Sequence, residues 1–147
     1  MVIYILKRFL AQIYQVESKI FREEEIMERN FLEDVRQHLE LSEADFLKYI
    51  DYTTEIGEIL EENNVIFTYE FRLVFYSHII SFCQRLEAKE KLNITNSGFD
   101  EEISRKAYEI SSKIIKMLSE KYGAEADELE IILAAIQIQL ALEFQNQ

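Results

Sequence analysis

The sequence predicts an all-α protein, folded as a compact bundle of five to six helices. Proline is absent and only three glycines occur among 147 residues, whereas the tight turns of β-sandwiches and β-barrels depend on these two residue types. Apolar residues recur at steps of three, four and seven, the spacing that returns to one face of a helix. Hydrophobic residues make up 48% of the chain, enough for a buried core in a chain of single-domain size.

Residues 2 to about 39 are predicted to form one long helix, or two helices with a bend. Their apolar stripe consists of Ile3, Leu6, Leu10, Ile13, Ile20, Met27, Phe31 and Val35. Glu17 and Glu24 interrupt it, which weakens the case for a coiled coil. The stripe fits packing on the rest of the bundle as well as packing against a second subunit. Lys7 and Arg8 break an apolar start that is far shorter than the ~20 residues of a membrane span, so we expect no membrane association and a cytoplasmic protein.

Polar residues predict where the next two helices begin and end. Ser42 is the expected N-cap of a helix that stops near the asparagines of segment 61–64. The inward residues of that helix are Phe46, Ile50, Thr53 and Leu60. Thr68 is the expected cap of the following helix, which ends near Lys89. Residues 91–99 then form the longest connection.

Two further helices complete the predicted bundle. Asp100 is the expected cap of the fourth helix, and Gly123 fits a left-handed residue at its end. The core stripe of the fourth helix is Ile103, Ala107, Ile110, Ile114 and Met117 or Leu118. Asp127 and Glu130 resemble a capping box that opens the last helix, and the alanines at 134–135 would let a neighbouring helix approach closely. Its expected inward residues are Leu129, Leu133, Ile136 and Leu140.

Composition argues against several classes of function. The net charge of −12 repels phosphate backbones, so we expect no direct nucleic-acid binding. The single cysteine, Cys83, excludes an internal disulfide and a cysteine-rich metal site, and it is expected to be a small buried hydrophobe. No glycine-rich phosphate loop, metal-ligand cluster or nucleophile and base pattern is visible. We therefore predict no catalytic residue, no metal, no cofactor and no small-molecule substrate.

The segment from Thr68 to Leu86 is the most informative stretch. On a helix, His78, Phe82 and Arg85 lie close to one face, together with Phe71 and Val74 one to two turns upstream. A histidine among apolar neighbours also fits a structural core or rim residue, and Arg85 also fits a plain salt bridge with a nearby carboxylate. The other histidine, His38, is expected to be solvated at a helix end.

His78 with Arg85 in HIISFCQR, followed by a polar connection and then by DELEIILAAIQIQLAL at residues 127–142, resembles the PTS regulation domain, or PRD. In that family a histidine on a helix is followed seven residues later by an arginine. A second histidine falls seven residues after a glutamate that opens the last helix. Glu130 matches that glutamate, whereas Gln137 stands where the second histidine would be.

The resemblance covers roughly Leu41 to the C-terminus. It implies a PRD-like helical domain at residues 41–147 and leaves residues 1–40 as a separate amphipathic helical segment. Two further departures from the family pattern are visible. Ser77 replaces the acidic residue that commonly precedes the first histidine, and no nucleic-acid-binding module accompanies the domain.

The chemistry implied by the resemblance is transfer of a phosphoryl group to His78 from HPr or an enzyme II component of the sugar phosphotransferase system. A neutral imidazole is a good nucleophile near pH 7, since its pKa is ordinarily about 6.5. Arg85 would support the added negative charge, although its α-carbon lies about 10.5 Å from that of His78 along a helix. Glu130 would take a supporting or structural role, and Gln137 cannot carry a stable phosphoryl group.

The sequence therefore predicts a stand-alone PRD-like regulatory module. It would act on transcription regulation through protein-protein contacts, most simply as a homodimer whose interface responds to phosphorylation of His78. The alternative is a helical scaffold or oligomerisation protein that is independent of phosphorylation, with the N-terminal segment making the main contacts and His78 merely packed.

Overall fold

The computed structural model describes residues 18–92 and 102–146, with side chains from residue 27 onward. These residues form five helices and no strand: α1 Ser18–His38, α2 Glu43–Glu62, α3 Tyr69–Ala88, α4 Arg105–Lys121 and α5 Glu128–Gln145. The prediction of an all-α bundle of five to six helices is confirmed. Several predicted features lie outside the described side chains: Ile3, Leu6, Leu10, Ile13, Ile20, Glu17, Glu24, Asp100 and most of the connection 91–99.

The chain divides into two compact units, Met1–Glu61 and Glu62–Gln147. The first contains α1 and nearly all of α2, and the second contains α3, α4 and α5. The boundary expected between residues 1–40 and 41–147 was based on the extent of a family resemblance. The division into compact units does not test it, so it stays a prediction. None of the helices in the described part of the chain has the length and apolar character needed to cross a membrane.

In the first unit, a short polar connection joins α1 to α2. Arg36 donates from Nε to Glu33 at 3.0 Å and from Nη1 to the carbonyl oxygen of Leu41 at 2.8 Å, which ties the end of α1 to the connection. The hydrogen bond from Arg36 also lowers the pKa of the Glu33 carboxyl. Ser42 accepts a hydrogen bond from the backbone N–H of Asp45 at 3.1 Å, so the predicted N-cap of α2 is confirmed.

The predicted stripe of α1 is buried only at its C-terminal end, and packing of the rest of it against a second subunit stays a prediction. Phe31 and Val35 are buried, but Met27 is 69% exposed. Helical spacing fixes the direction in which a side chain points, not how far along the helix the covering residues reach. His38 is exposed at the last position of α1, as expected.

In the second unit, local polar signals set the ends of α3 as predicted. Thr68 accepts from the N–H of Phe71 at 3.3 Å, and Lys89 adopts a left-handed conformation with φ of 57° at the C-terminal end. Asn64, in the turn before α3, also has a positive φ of 58°. Asparagine tolerates this conformation better than most residues, so the predicted stop of α2 at 61–64 is confirmed.

The start of α4 differs from the prediction. Ser104, not Asp100, is its N-cap, because the Ser104 hydroxyl accepts from the N–H of Ala107 at 3.1 Å. Ile103 therefore precedes the helix and is only half-buried. The rest of the core stripe is confirmed, with Leu118 rather than Met117 buried. Gly123 follows the end of α4 with φ of 63°, as predicted for a left-handed position.

The predicted inward face of α5 is wrong. Leu140 is 42% exposed, and Leu129, Leu133 and Ile136 are only half-buried. The residues that are buried instead are Glu130, Ile131, Ile132, Ala134, Ala135, Ile138, Ala141 and Leu142. Because α5 is apolar on nearly every side, its periodicity did not determine which face would pack. The alanines at 134–135 are fully buried, consistent with the close helix approach expected of them.

Two contacts fix α5 beside α3. The rings of Phe71 and Phe144 meet edge to face with centroids 5.2 Å apart. The Gln145 amide accepts from the N–H of Ile66 at 2.8 Å and donates to the carbonyl of Asn64 at 2.7 Å. These contacts at one end of α5 hold the helix pair in the alignment that creates the site described next.

Candidate functional site

The α3 and α5 helices run antiparallel, so pairs of residues spaced by two turns on each helix face one another. His78 and Arg85 are seven positions apart on α3, and Glu130 and Gln137 are seven positions apart on α5. The contacts run from Arg85 to Glu130, from Glu130 to His78 and from His78 to Gln137. We call these four residues the His78 network.

Glu130 is the centre of the His78 network. Its side chain is 2% exposed, and its two oxygens are directed to different partners. Oε2 lies 3.0 Å from Nε2 of His78, and Oε1 accepts from Nε of Arg85 at 2.9 Å. A buried carboxylate is tolerated only when it is paired and hydrogen-bonded, and Arg85 and His78 together provide this compensation.

Arg85 contributes charge as well as a hydrogen bond. Its Nη2 atom lies 2.6 Å from Oε1 of Glu130, but the angle does not meet that of a hydrogen bond. We regard the Nε–H contact as the directional one and the Nη2 contact as charge attraction. The Arg85 side chain is 21% exposed, although its Nη2 atom is buried.

The contacts of His78 assign its neutral tautomer. The ring has Nε2 against the Glu130 carboxylate and Nδ1 at 3.0 Å from the Nε2 atom of Gln137. An ionised carboxylate can only accept, so the hydrogen must lie on Nε2 of His78. The lone pair of the neutral ring is then on Nδ1, where the Gln137 amide donates to it. Both ring nitrogens are therefore engaged.

Three buried polar atoms of the network and of the residue next to His78 lack hydrogen-bond partners within the described residues. They are Oε1 of Gln137, Oγ of Ser77 and Nη2 of Arg85. The Gln137 amide consequently makes its contact with His78 through the nitrogen alone, while its oxygen is buried and unsatisfied. Leaving a buried acceptor without a hydrogen bond is unfavourable by about 1–3 kcal/mol.

Cys83 lies on α3 near this site but does not belong to it. It is fully buried, and burial raises the pKa of its thiol to about 12. A protonated thiol in an apolar environment is unreactive, so the predicted role as a small buried hydrophobe is confirmed.

The sequence correctly placed His78 and Arg85 on one side of a helix but missed how they meet. The sequence left open how Arg85, about 10.5 Å from His78 along the helix, would reach its partners, and in the structure the two side chains converge on Glu130 of α5. Glu130 does not complete a capping box, because Asp127 accepts from the N–H of Leu129 at 3.0 Å while the Glu130 side chain points to α3. The matching seven-residue spacing on the two helices is the signal from which this meeting could have been inferred.

The other histidine, His38, is on α1 in the first unit, whereas the His78 network belongs to the second unit. Within residues 18–92 and 102–146, no group of three or more histidine, cysteine, aspartate or glutamate side chains could hold a metal ion. The described candidate site is thus one histidine held by a carboxylate, an amide and a nearby guanidinium.

Comparison with known proteins gives one match. The family model described as the PRD domain matches residues 53–141, which is more than half of the chain. The matched range includes all four residues of the His78 network. No curated protein and no solved structure matches the chain.

Proposed function

The chain belongs to the PRD family of regulatory domains, and from that premise we propose that it is a phosphorylation-responsive module of the sugar phosphotransferase system. His78 is the proposed acceptor, and HPr or an enzyme II component is the proposed donor. The module would work in the cytoplasm, where it would influence transcription regulation through protein-protein contacts. Neither catalysis nor a small-molecule substrate forms part of this proposal.

The observation that supports this proposal most strongly is the contact between His78 and the buried Glu130 carboxylate. Oε2 of Glu130 lies 3.0 Å from Nε2 of His78 and holds the ring so that its lone pair points away from Glu130. A carboxylate in this position also stabilises positive charge that develops on an imidazole during nucleophilic attack. Arg85 pairs with the same carboxylate and so supports the ionised form of Glu130 beside His78.

A phosphoryl group on His78 would change the charge balance of the α3–α5 contact. The network contains one guanidinium and one carboxylate. The phosphoryl group brings about −1.5 to −2 at neutral pH, and the positive charge on the modified ring offsets only part of it. The added negative charge lies at a contact between two helices, and this is a physical route from phosphorylation to altered packing or association.

The proposal is tested by incubating the full chain with phosphoenolpyruvate, enzyme I and HPr, with and without candidate enzyme II components. Intact mass should show one acid-labile phosphoryl group on the parent chain and on His38→Ala, but none on His78→Ala. His38→Ala is the matched control, since it removes the exposed histidine of the first unit. Absence of any addition while HPr itself is phosphorylated, or an addition that His78→Ala retains, would contradict the proposal.

A second candidate function, a helical scaffold independent of phosphorylation, is favoured by a specific observation. The His78 side chain is only 15% exposed and both of its ring nitrogens are hydrogen-bonded. Such a histidine would have only a structural role if its contact with Gln137 never opened. In that case no donor would phosphorylate the parent protein, and His78→Ala would change only its stability.

A further inference from the structure

The geometry points to Nδ1 of His78 as the atom that receives the phosphoryl group, with Glu130 holding the proton on Nε2 and Gln137 covering Nδ1 until transfer. This inference rests on the proposed function and specifies how that same site works. It assigns Gln137, the residue in place of a second histidine, as a positioning residue.

The assignment of the lone pair follows from Glu130 together with the amide nitrogen of Gln137, which faces Nδ1. Arg85 pairs with the Glu130 carboxylate, and an ionised carboxylate has no hydrogen to donate. Nε2 of His78, 3.0 Å from Oε2, must therefore supply the hydrogen of that contact. A neutral ring then has its only lone pair on Nδ1. If the Gln137 oxygen faced Nδ1 instead, the ring would have to be an imidazolium with no nucleophilic nitrogen.

Attack through Nε2 is unfavourable for two reasons. The proton would first have to leave Nε2, and the phosphoryl group would then lie directly against Glu130. That carboxylate is 2% exposed, so little solvent is present to screen the repulsion between two anions. Attack through Nδ1 places the phosphoryl group on the opposite side of the ring from Glu130.

The transfer needs no separate base, because Nδ1 of the neutral His78 ring already has a free lone pair. The donor is a phosphohistidine of a phosphocarrier protein, and its P–N bond breaks with the electron pair returning to the donor imidazole. The lone pair on Nδ1 of His78 forms the new P–N bond. Nε2 keeps its proton, so the His78 ring acquires positive charge that the Glu130 carboxylate stabilises at hydrogen-bond distance.

Gln137 controls access to Nδ1. Its amide nitrogen lies 3.0 Å from Nδ1 and occupies the direction from which a phosphorus atom must approach. The amide oxygen has no hydrogen-bond partner, so rotation of the side chain breaks a single hydrogen bond at the amide. After transfer the same NH₂ group can donate to a phosphoryl oxygen. Gln137 thus slows transfer in the resting state and retains a contact with the product.

The acceptor atom is identified on the full chain labelled with ¹⁵N. Long-range ¹H–¹⁵N spectra of the unmodified protein should show a protonated Nε2 and an unprotonated Nδ1 on His78. After treatment with phosphoenolpyruvate, enzyme I and HPr, ³¹P coupling should appear at Nδ1. A proton on Nδ1 of the neutral ring, or ³¹P coupling at Nε2, would overturn this inference while the proposed function stands. No phosphoryl incorporation at all would overturn both.

Variants test the role of Gln137 separately. Gln137→Ala should raise the initial rate of phosphorylation about fivefold, the factor that corresponds to removing one neutral hydrogen bond from the resting state. It should leave the His78 tautomer unchanged, because Glu130 holds it. Gln139→Ala, on the same helix but bonded to Ser104 and Glu143, is the matched control and should keep the parent rate. An unchanged or lower rate for Gln137→Ala would refute its covering role.

Discussion

Glu130 is the residue on which the arrangement of the site depends, because it is almost fully buried and contacts both His78 and Arg85. Its hydrogen bonds differ from ordinary surface ion pairs, which contribute about 0–1 kcal/mol. Removing the charge of a buried partner leaves the remaining charged group poorly compensated, and this is unfavourable even when the shape of the side chain is retained. The stability of the α3–α5 contact should therefore be sensitive to the charge at this position.

Glu130→Gln should lower the free energy of unfolding by about 2 kcal/mol, a value below that of a fully buried pair because Arg85 is 21% exposed. Urea unfolding followed by circular dichroism measures the change. Glu143→Gln, an exposed position on the same helix, is the control and should change stability by less than about 0.5 kcal/mol. Equal effects of the two substitutions would show that the buried contacts do not hold the helices together.

The buried thiol of Cys83 should make the folded protein less stable in alkaline solution. Burial, assisted by the nearby Glu87 carboxylate, raises the pKa of its thiol from 9.0 to about 12. The folded state thus favours the protonated thiol, so its contribution is complete below pH 9 and is lost as pH rises toward 12.

Above the pKa of the unfolded thiol, the free energy of unfolding should fall by about 1.4 kcal/mol per pH unit owing to Cys83. Unfolding measured at about pH 8 and about pH 10.5 tests this in the parent chain and in Cys83→Ala. Subtracting the pH dependence of the Cys83→Ala variant from that of the parent chain removes the contributions of other groups that titrate in this range. Parallel pH dependence of the two proteins would contradict a buried, protonated Cys83.

Among the elements, helix ends were predicted well and the packing face of α5 was not. The caps at Ser42 and Thr68 and the turn at Gly123 depend on hydrogen bonds or backbone angles within a few residues, which the local sequence specifies. The face of α5 depends on which side the other helices cover. Its apolar residues fit several faces, and only the structure shows that Glu130 and the adjacent alanines are buried.

The same distinction applies to the site. His78 and Arg85 were identified from one helix, because their spacing is local. Their convergence on Glu130 and the contact of Gln137 with His78 required the alignment of two helices, which is set by contacts such as Phe71 with Phe144. Long-range pairing of this kind has no signature within any one segment of the sequence.

The face of α5 can be tested with two large-to-small substitutions. Ile138 is fully buried, so Ile138→Ala should lower the free energy of unfolding by about 3 kcal/mol through lost burial and a residual cavity. Leu140 is 42% exposed, and Leu140→Ala should lower it by less than about 1 kcal/mol. Urea unfolding of the two variants measures both values. A larger loss of stability for Leu140→Ala than for Ile138→Ala would instead support the face predicted from the sequence, with Leu140 inward.

At the scale of the whole molecule, the family match and the net charge matter most. The match begins at residue 53, inside α2, and continues through most of α5. The described His78 network lies entirely in the second unit. Because the net charge is −12, electrostatic repulsion already opposes self-association, and each phosphoryl group increases this repulsion. We therefore expect the proposed phosphorylation of His78 to weaken association of the chain with itself.

The most direct test of this account is the association constant of the full chain before and after quantitative phosphorylation, measured by sedimentation velocity over a range of protein concentrations. In the proposed dimer, two phosphoryl groups bring about three to four negative charges, and the positive charge on the two His78 rings offsets only part of them. We expect the dimer to weaken at least about tenfold, equivalent to about 1.4 kcal/mol, with no change in His78→Ala treated with the same donors. Identical association constants for the phosphorylated and unmodified chains would contradict the claim that His78 switches an interface.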